Sequence, residues 1–125
     1  MATTKLDTRV SDYIMARLAE EGVKDVFLLP GGGAMHLNDA IARESRLKAV
    51  LCHHEQACGI AAEAYGRTHG AGFGVAVVTT GPGSTNVLTP VAGAWIESSP
   101  MSLRSPIMAW WAEPLTIGMS SPGYS

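Results

Sequence analysis

Apolar positions along this chain alternate between a helical and an extended rhythm. Val10, Tyr13, Ile14 and Leu18 follow the 3.6-residue period, with Asp12, Arg17 and Glu20 on other faces, so a helix is expected from about Thr8 to Glu21. Asp7 or Thr8 can cap its start, and Gly22 suits its C-terminal stop. Asp25 to Leu29 is a short β-rich run ended by Pro30-Gly31-Gly32-Gly33. A second helix is expected over Ala34 to Glu44, with Leu37, Ala40 and Ile41 on one face, and a second strand over Leu47 to Cys52. Gln56 to His69 is a third helix, whose Ala57, Gly59, Ala61, Ala62 and Ala64 allow close approach to a neighbouring backbone. Val75 to Thr80 is a third strand. Ser84 to Glu97 is a fourth helix, expected to bend at Pro90, which has no backbone N–H.

The order α-β-α-β-α-β-α predicts an α/β fold, a parallel sheet with helices on both faces. Short, mostly apolar strands agree with burial on two sides. Ligands of such sheets sit at the carboxyl ends of the strands. The loops at 30–33, 53–56 and 80–86 all fall there. After Pro100 neither period is clear, and Ser, Pro and Gly accumulate to Ser125. The expected organisation is therefore one domain over 1–100 and a divergent tail, without expected order, over 101–125.

Composition narrows the function. The chain has 125 residues, 46% of them apolar and 16% charged, so a core is within reach and the surface is poor in charge. A net charge of −2 argues against nucleic acid and anionic membrane as partners. No apolar run is long enough to span a bilayer, and the N-terminus has no hydrophobic signal core, so the cytoplasm is the expected compartment. Cys52 and Cys58 form no metal-type pair and are expected as free thiols without an activating triad.

Each loop alone permits a plain reading. Pro30-Gly31-Gly32-Gly33 is either a strand-to-helix turn or a place where a ligand meets bare backbone. Gly81-Pro82-Gly83-Ser84-Thr85-Asn86 is either a helix cap or an anion site, but it lacks the ending of a P-loop and the Rossmann spacing. His53 and His54 point to opposite faces if extended, so no metal site is expected from them. Glu55 is either a helix-start carboxylate or a catalytic one.

Taken together, Pro30-Gly31-Gly32, His54-Glu55-Gln56-Ala57, Ala61-Ala62-Glu63-Ala64-Tyr65-Gly66-Arg67 and Thr79-Thr80-Gly81-Pro82-Gly83-Ser84-Thr85-Asn86 resemble the pyrimidine-binding N-terminal domain of thiamine-diphosphate enzymes. Gly31 to Ala40 looks most like acetolactate synthase-like members, and the resemblance runs from about Leu6 to Pro100. It implies that Glu55 hydrogen-bonds N1′ of the cofactor's aminopyrimidine and is the catalytic carboxylate. It also implies that Pro30, Gly31, Thr79, Pro82 and Asn86 adjoin the cofactor. The implied parent reaction decarboxylates a 2-keto acid such as pyruvate and ligates the product to a carbonyl acceptor. Mg²⁺ and the diphosphate would be held by a separate domain, FAD by a central domain in some members, and helix 56–69 would pack on a second subunit of a homo-oligomer. The family usually continues past Met101 with an apolar strand ending in Ser/Thr-Gly-Gln. Ser102-Leu103-Arg104-Ser105-Pro106 stands there instead, which leads us to expect a frameshift or truncation and an isolated chain without activity. A subunit of a split 2-keto acid decarboxylase and a non-catalytic α/β interaction module are the alternatives.

Overall fold

Residues 26–28 and 75–78 alternate between two apolar layers, as an extended chain requires. The computed structural model describes residues 8–99 and 101–104. In chain order the elements are α1 (Val10–Glu20), β1 (Asp25–Leu28), a 3₁₀ turn (Gly32–Ala34), α2 (Met35–Arg43), β2 (Lys48–Leu51), α3 (Glu55–Thr68), β3 (Gly74–Val77), α4 (Pro82–Asn86), α5 (Leu88–Ile96) and β4 (Met101–Arg104). The strands lie in the order β2-β1-β3-β4 and every neighbouring pair is parallel. The expected α/β class is the one observed.

Val26, Leu28, Val75 and Val77 pack with Met15 and Leu18 of α1 and with Ala40 and Ile41 of α2. On the opposite face Ala76 and Val78, flanked by Phe27 and Leu29, pack with Cys58 and Ala62 of α3, Val87, Ala94 of α5 and Met101. β3 is buried throughout, whereas β2 is an edge strand and leaves Ala49 and Leu51 exposed. Burial of every strand on two faces therefore fails at the edge, where no further strand or helix covers those side chains among the described residues.

The turn of α1 also differs from the expected one. Its buried residues are Ser11, Met15 and Leu18, while Val10 is 74% and Tyr13 58% exposed. The start is not capped by Thr8: Arg9 holds the N-cap position in extended backbone, and its guanidinium bonds Asp12 and reaches Asp39 of α2 at 3.0 Å. Asp7 lies outside the described residues. At the other end Gly22 has φ +92°, its N–H bonds Ala19 O and the Val23 N–H bonds Leu18 O, a paired stop that only a glycine-compatible backbone adopts easily.

The expected fourth helix is two. The chain breaks at the fully buried Val87, not at Pro90. Pro90 is the third residue of α5, where a missing N–H breaks no helical bond. Its ring instead fills the space over Gly59, where a Cβ would lie 2.4 Å from Pro90 Cγ. A Cβ on Gly74 would lie 1.6 Å from Ala62 O, so α3 approaches both α5 and β3 as closely as its small residues permit. Finally, Met101–Arg104 pairs with Gly74–Val77, so the sheet continues past the expected boundary at Pro100. The Met-Ser-Leu-Arg alternation is a period of two, too short to stand out beside Ser105-Pro106. No helix among the described residues is long and apolar enough to cross a membrane.

Candidate functional site

In the order β2-β1-β3-β4 the chain moves one way from β1 to β2 and the other way to β3. The carboxyl ends of β1 and β3 thus flank the point where a doubly wound sheet opens a crevice. Three turns meet at this end of the sheet, one after each of β1, β2 and β3.

The turn after β1 is held against the one after β3. A Cβ on Gly31 would lie 2.4 Å from Thr79 Cβ, and one on Gly33 would lie 2.5 Å from Thr80 Oγ1. Gly33 N donates to Thr79 Oγ1 at 3.2 Å. Gly31 has extended backbone, so glycine is needed there for room and not for its dihedral angles. Gly31 and Gly33 thus make space for two threonines, while Gly32 faces open space.

The turn after β3 does need an unusual backbone. Gly81 has φ +66°, its carbonyl accepts from Ser84 N and Thr85 N, and Pro82 opens α4. Ser84 Oγ donates to Thr79 O at 2.9 Å, and Thr85 Oγ1 donates to Pro82 O at 2.9 Å. Gly83 is buried, and a Cβ there would lie 2.8 Å from Thr79 Cγ2 and 3.3 Å from Glu55 Oε1.

The turn after β2 presents the carboxylate. Cys52 N donates to Leu28 O, which ties the turn to β1. His54 caps α3: its Nδ1 accepts from Gln56 N at 3.0 Å. Glu55 is the first residue of α3, half-buried, and its Oε2 accepts from Asn86 Nδ2 at 3.0 Å. The Asn86 amide holds the Glu55 carboxyl below the ordinary carboxylate range. Burial pushes the other way, and the residue's own N–H and nearby His54 add smaller lowering effects. One turn on, burial and the neighbouring Cys52 push the Cys58 thiol up to about 12, so it is a packing residue rather than a nucleophile.

Of the residues singled out from sequence, Gly31, Thr79, Asn86 and Glu55 form one connected set through Thr79 and Gly83. Pro30 and Pro82 are exposed at the openings of their turns. Sequence reasoning gave no role to Gly33 or Gly83, or to His54 as a cap. A histidine two residues before Gln56 at a strand-to-helix junction is the local signal that could have found the cap.

The three turns lie in a part of the chain that has known relatives. A family model described as "Thiamine pyrophosphate enzyme, N-terminal TPP binding domain" matches residues 8–103. The chain is similar to acetolactate synthase 2, chloroplastic, of Nicotiana tabacum, with 44% identity over 92 residues, 73% of this chain and 14% of the relative. It is similar to the mitochondrial acetolactate synthase of Schizosaccharomyces pombe, with 44% identity over 88 residues, 70% of this chain and 13% of the relative. It is also similar to the acetolactate synthase large subunit of Lactococcus lactis, with 37% identity over 111 residues, 89% of this chain and 18% of the relative. The aligned part is thus a small fraction of each relative's length. The matched span contains all three turns of the crevice, and the chain belongs to the thiamine pyrophosphate enzymes, through their N-terminal TPP binding domain.

Proposed function

We propose that this chain holds the aminopyrimidine end of thiamine diphosphate, with Glu55 as the carboxylate that hydrogen-bonds ring nitrogen N1′. One observation carries the reading. Glu55 Oε2 is occupied by Asn86, while Oε1 lies beside Gly83, where a single added carbon would come within 3.3 Å. Gly83 thus sets bare backbone, not a side chain, beside that oxygen. Pro30, Gly31, Thr79 and Pro82 form the surrounding wall in this reading, with Asn86 adjoining the carboxylate. An ionised Glu55 strengthens the basicity of a nitrogen it bonds, and partial burial enhances that effect. When bound, the cofactor supplies the electron sink for decarboxylating a 2-keto acid. The parent reaction is then acetolactate synthase-like: a substrate such as pyruvate is decarboxylated and its remainder joined to a carbonyl acceptor.

In the same reading the diphosphate and Mg²⁺ are held by a diphosphate-binding domain or a second subunit of a homo-oligomer. The exposed Ile60 of α3 and Leu88, Trp95 and Ile96 of α5 support a protein partner on that face. A split 2-keto acid decarboxylase places the same surface against a separately encoded chain.

Calorimetric titration of the chain with thiamine and with thiamine diphosphate tests the site. Both should bind with similar, weak affinity, a Kd on the order of 1 mM, because only the ring end is held. Glu55→Gln should weaken both at least about tenfold, the value of one hydrogen bond to a charged group. Equal binding by wild type and Glu55→Gln would sink the proposal and favour a non-catalytic module.

A further inference from the structure

Asn86 stands 31 residues from Glu55 in the chain, yet its amide meets the carboxylate at 3.0 Å in a partly buried setting. We propose that Asn86 is a positioning residue that acts through Glu55: its amide fixes Oε2 and so decides that Oε1 is the oxygen presented to a ligand. The reading of Glu55 as a ligand-facing carboxylate underlies this, but the device itself exists in the chain without cofactor.

Three observations carry it. First, the amide is held in place. Gly81 O accepts from two N–H groups of the α4 turn, the Ser84 and Thr85 hydroxyls donate within that turn, and Val87, the next residue, is fully buried. Second, the two carboxylate oxygens have different surroundings: the Asn86 amide on Oε2 and the hydrogen side of Gly83 near Oε1, with the residue's own N–H as a weaker donor to the group. Third, the donor is neutral. The three turns, residues 29–33, 52–56 and 79–87, contain no Lys or Arg. A guanidinium or ammonium there would neutralise the carboxylate in an ion pair. An amide orients it and leaves its charge for the ligand. The titratable groups facing Glu55 are His54, its neighbour, and Cys58, one turn along α3 with Cys52 beside it; α4 and the glycine turn after β1 bring none.

The test is a carbon-detected NMR titration of Glu55 in the full 125-residue chain, without cofactor. In the unsubstituted chain the Asn86 side-chain amide resonances should move with the same midpoint as the Glu55 carboxyl carbon. Asn86→Ala should shift that midpoint upward, and the isosteric Asn86→Asp, which sets a second carboxylate against the first, should shift it further. A residue that merely supports the fold would give no such order. The proposal is overturned if the Asn86 amide is blind to the Glu55 titration, or if either variant, folded by circular dichroism, titrates as wild type does. The amide measurement needs no variant, so unfolding of the variants cannot shield the idea. Failure of thiamine to bind would remove the functional reading and leave this pairing standing.

Discussion

The two ends of α3 are built differently. At its C-terminal end Tyr65 is buried, its hydroxyl accepts from Lys24 N at 3.1 Å, Phe27 meets its ring edge-on at 5.7 Å, and His69 stacks on it at 3.8 Å. The hydroxyl and the ring of that tyrosine thus both meet protein groups. At the N-terminal end Glu55 has one oxygen engaged by Asn86 and the other beside a glycine. One end of the helix is completed by packing within the chain; the other sets a half-buried carboxylate at the mouth of the crevice.

The largest expected effect lies in the completed region. Gly74→Ala would place a carbon 1.6 Å from Ala62 O, so backbone must move where α3 meets β3. Destabilisation of roughly 3 kcal/mol or more is expected from urea unfolding. Gly83→Ala, at the open end, meets mainly the side-chain atoms of Thr79 and Glu55, at 2.8 and 3.3 Å. It should cost roughly 1 kcal/mol and weaken thiamine binding more than stability. Equal losses for the two variants would erase the distinction between the ends.

The same contrast explains what was legible beforehand. The short apolar, β-rich run from Val26 to Leu29 and the glycine-proline punctuation after it made the parallel α/β sheet readable, because those signals are local. The place of Glu55 at the junction of β2 and α3 was readable for the same reason. The break at Val87 was not. It depends on Pro90 finding the hollow over Gly59, a contact between positions far apart in sequence. The burial of Ser11 in place of Tyr13 likewise rests on how α1 is set against α2. β4 was hidden because four alternating residues carry too little signal without β3 beside them. In the site, the residues were visible but their relations were not: nothing local says that Thr79 occupies the space left by Gly31 and Gly83, or that Asn86 turns to Glu55.

A smaller effect separates the two ends by chemistry. Tyr65→Phe keeps the ring contacts and removes only the acceptor for Lys24 N. A loss of about 1 kcal/mol in stability is expected, with thiamine affinity unchanged. Glu55→Gln should do the reverse: stability within about 0.5 kcal/mol of wild type, with thiamine affinity reduced. Thermal unfolding and calorimetry on the two variants read both quantities. A Tyr65→Phe chain that loses thiamine binding would show that the ends are coupled through α3.

The smallest expected effect is in the pH dependence of stability. The Glu55 carboxyl is held below its ordinary value of 4.5, chiefly by Asn86. A depressed folded pKa means that the unfolded chain binds more protons in that window, so stability rises with pH there. The contribution is complete above the unfolded value and is lost as pH falls through the folded one. Asp12, bonded by Arg9, and Glu44, which Arg46 holds at about 2, have the same sign, so the slope of the wild-type chain alone does not isolate Glu55. The difference between wild type and Glu55→Gln does. Their stabilities should run parallel at neutral pH and converge below pH 4.5, with the Gln variant the flatter curve. Parallel curves down to the acid limit would mean that Asn86 does not favour the charged carboxylate. The open end of α3 would then offer no more than an ordinary surface glutamate.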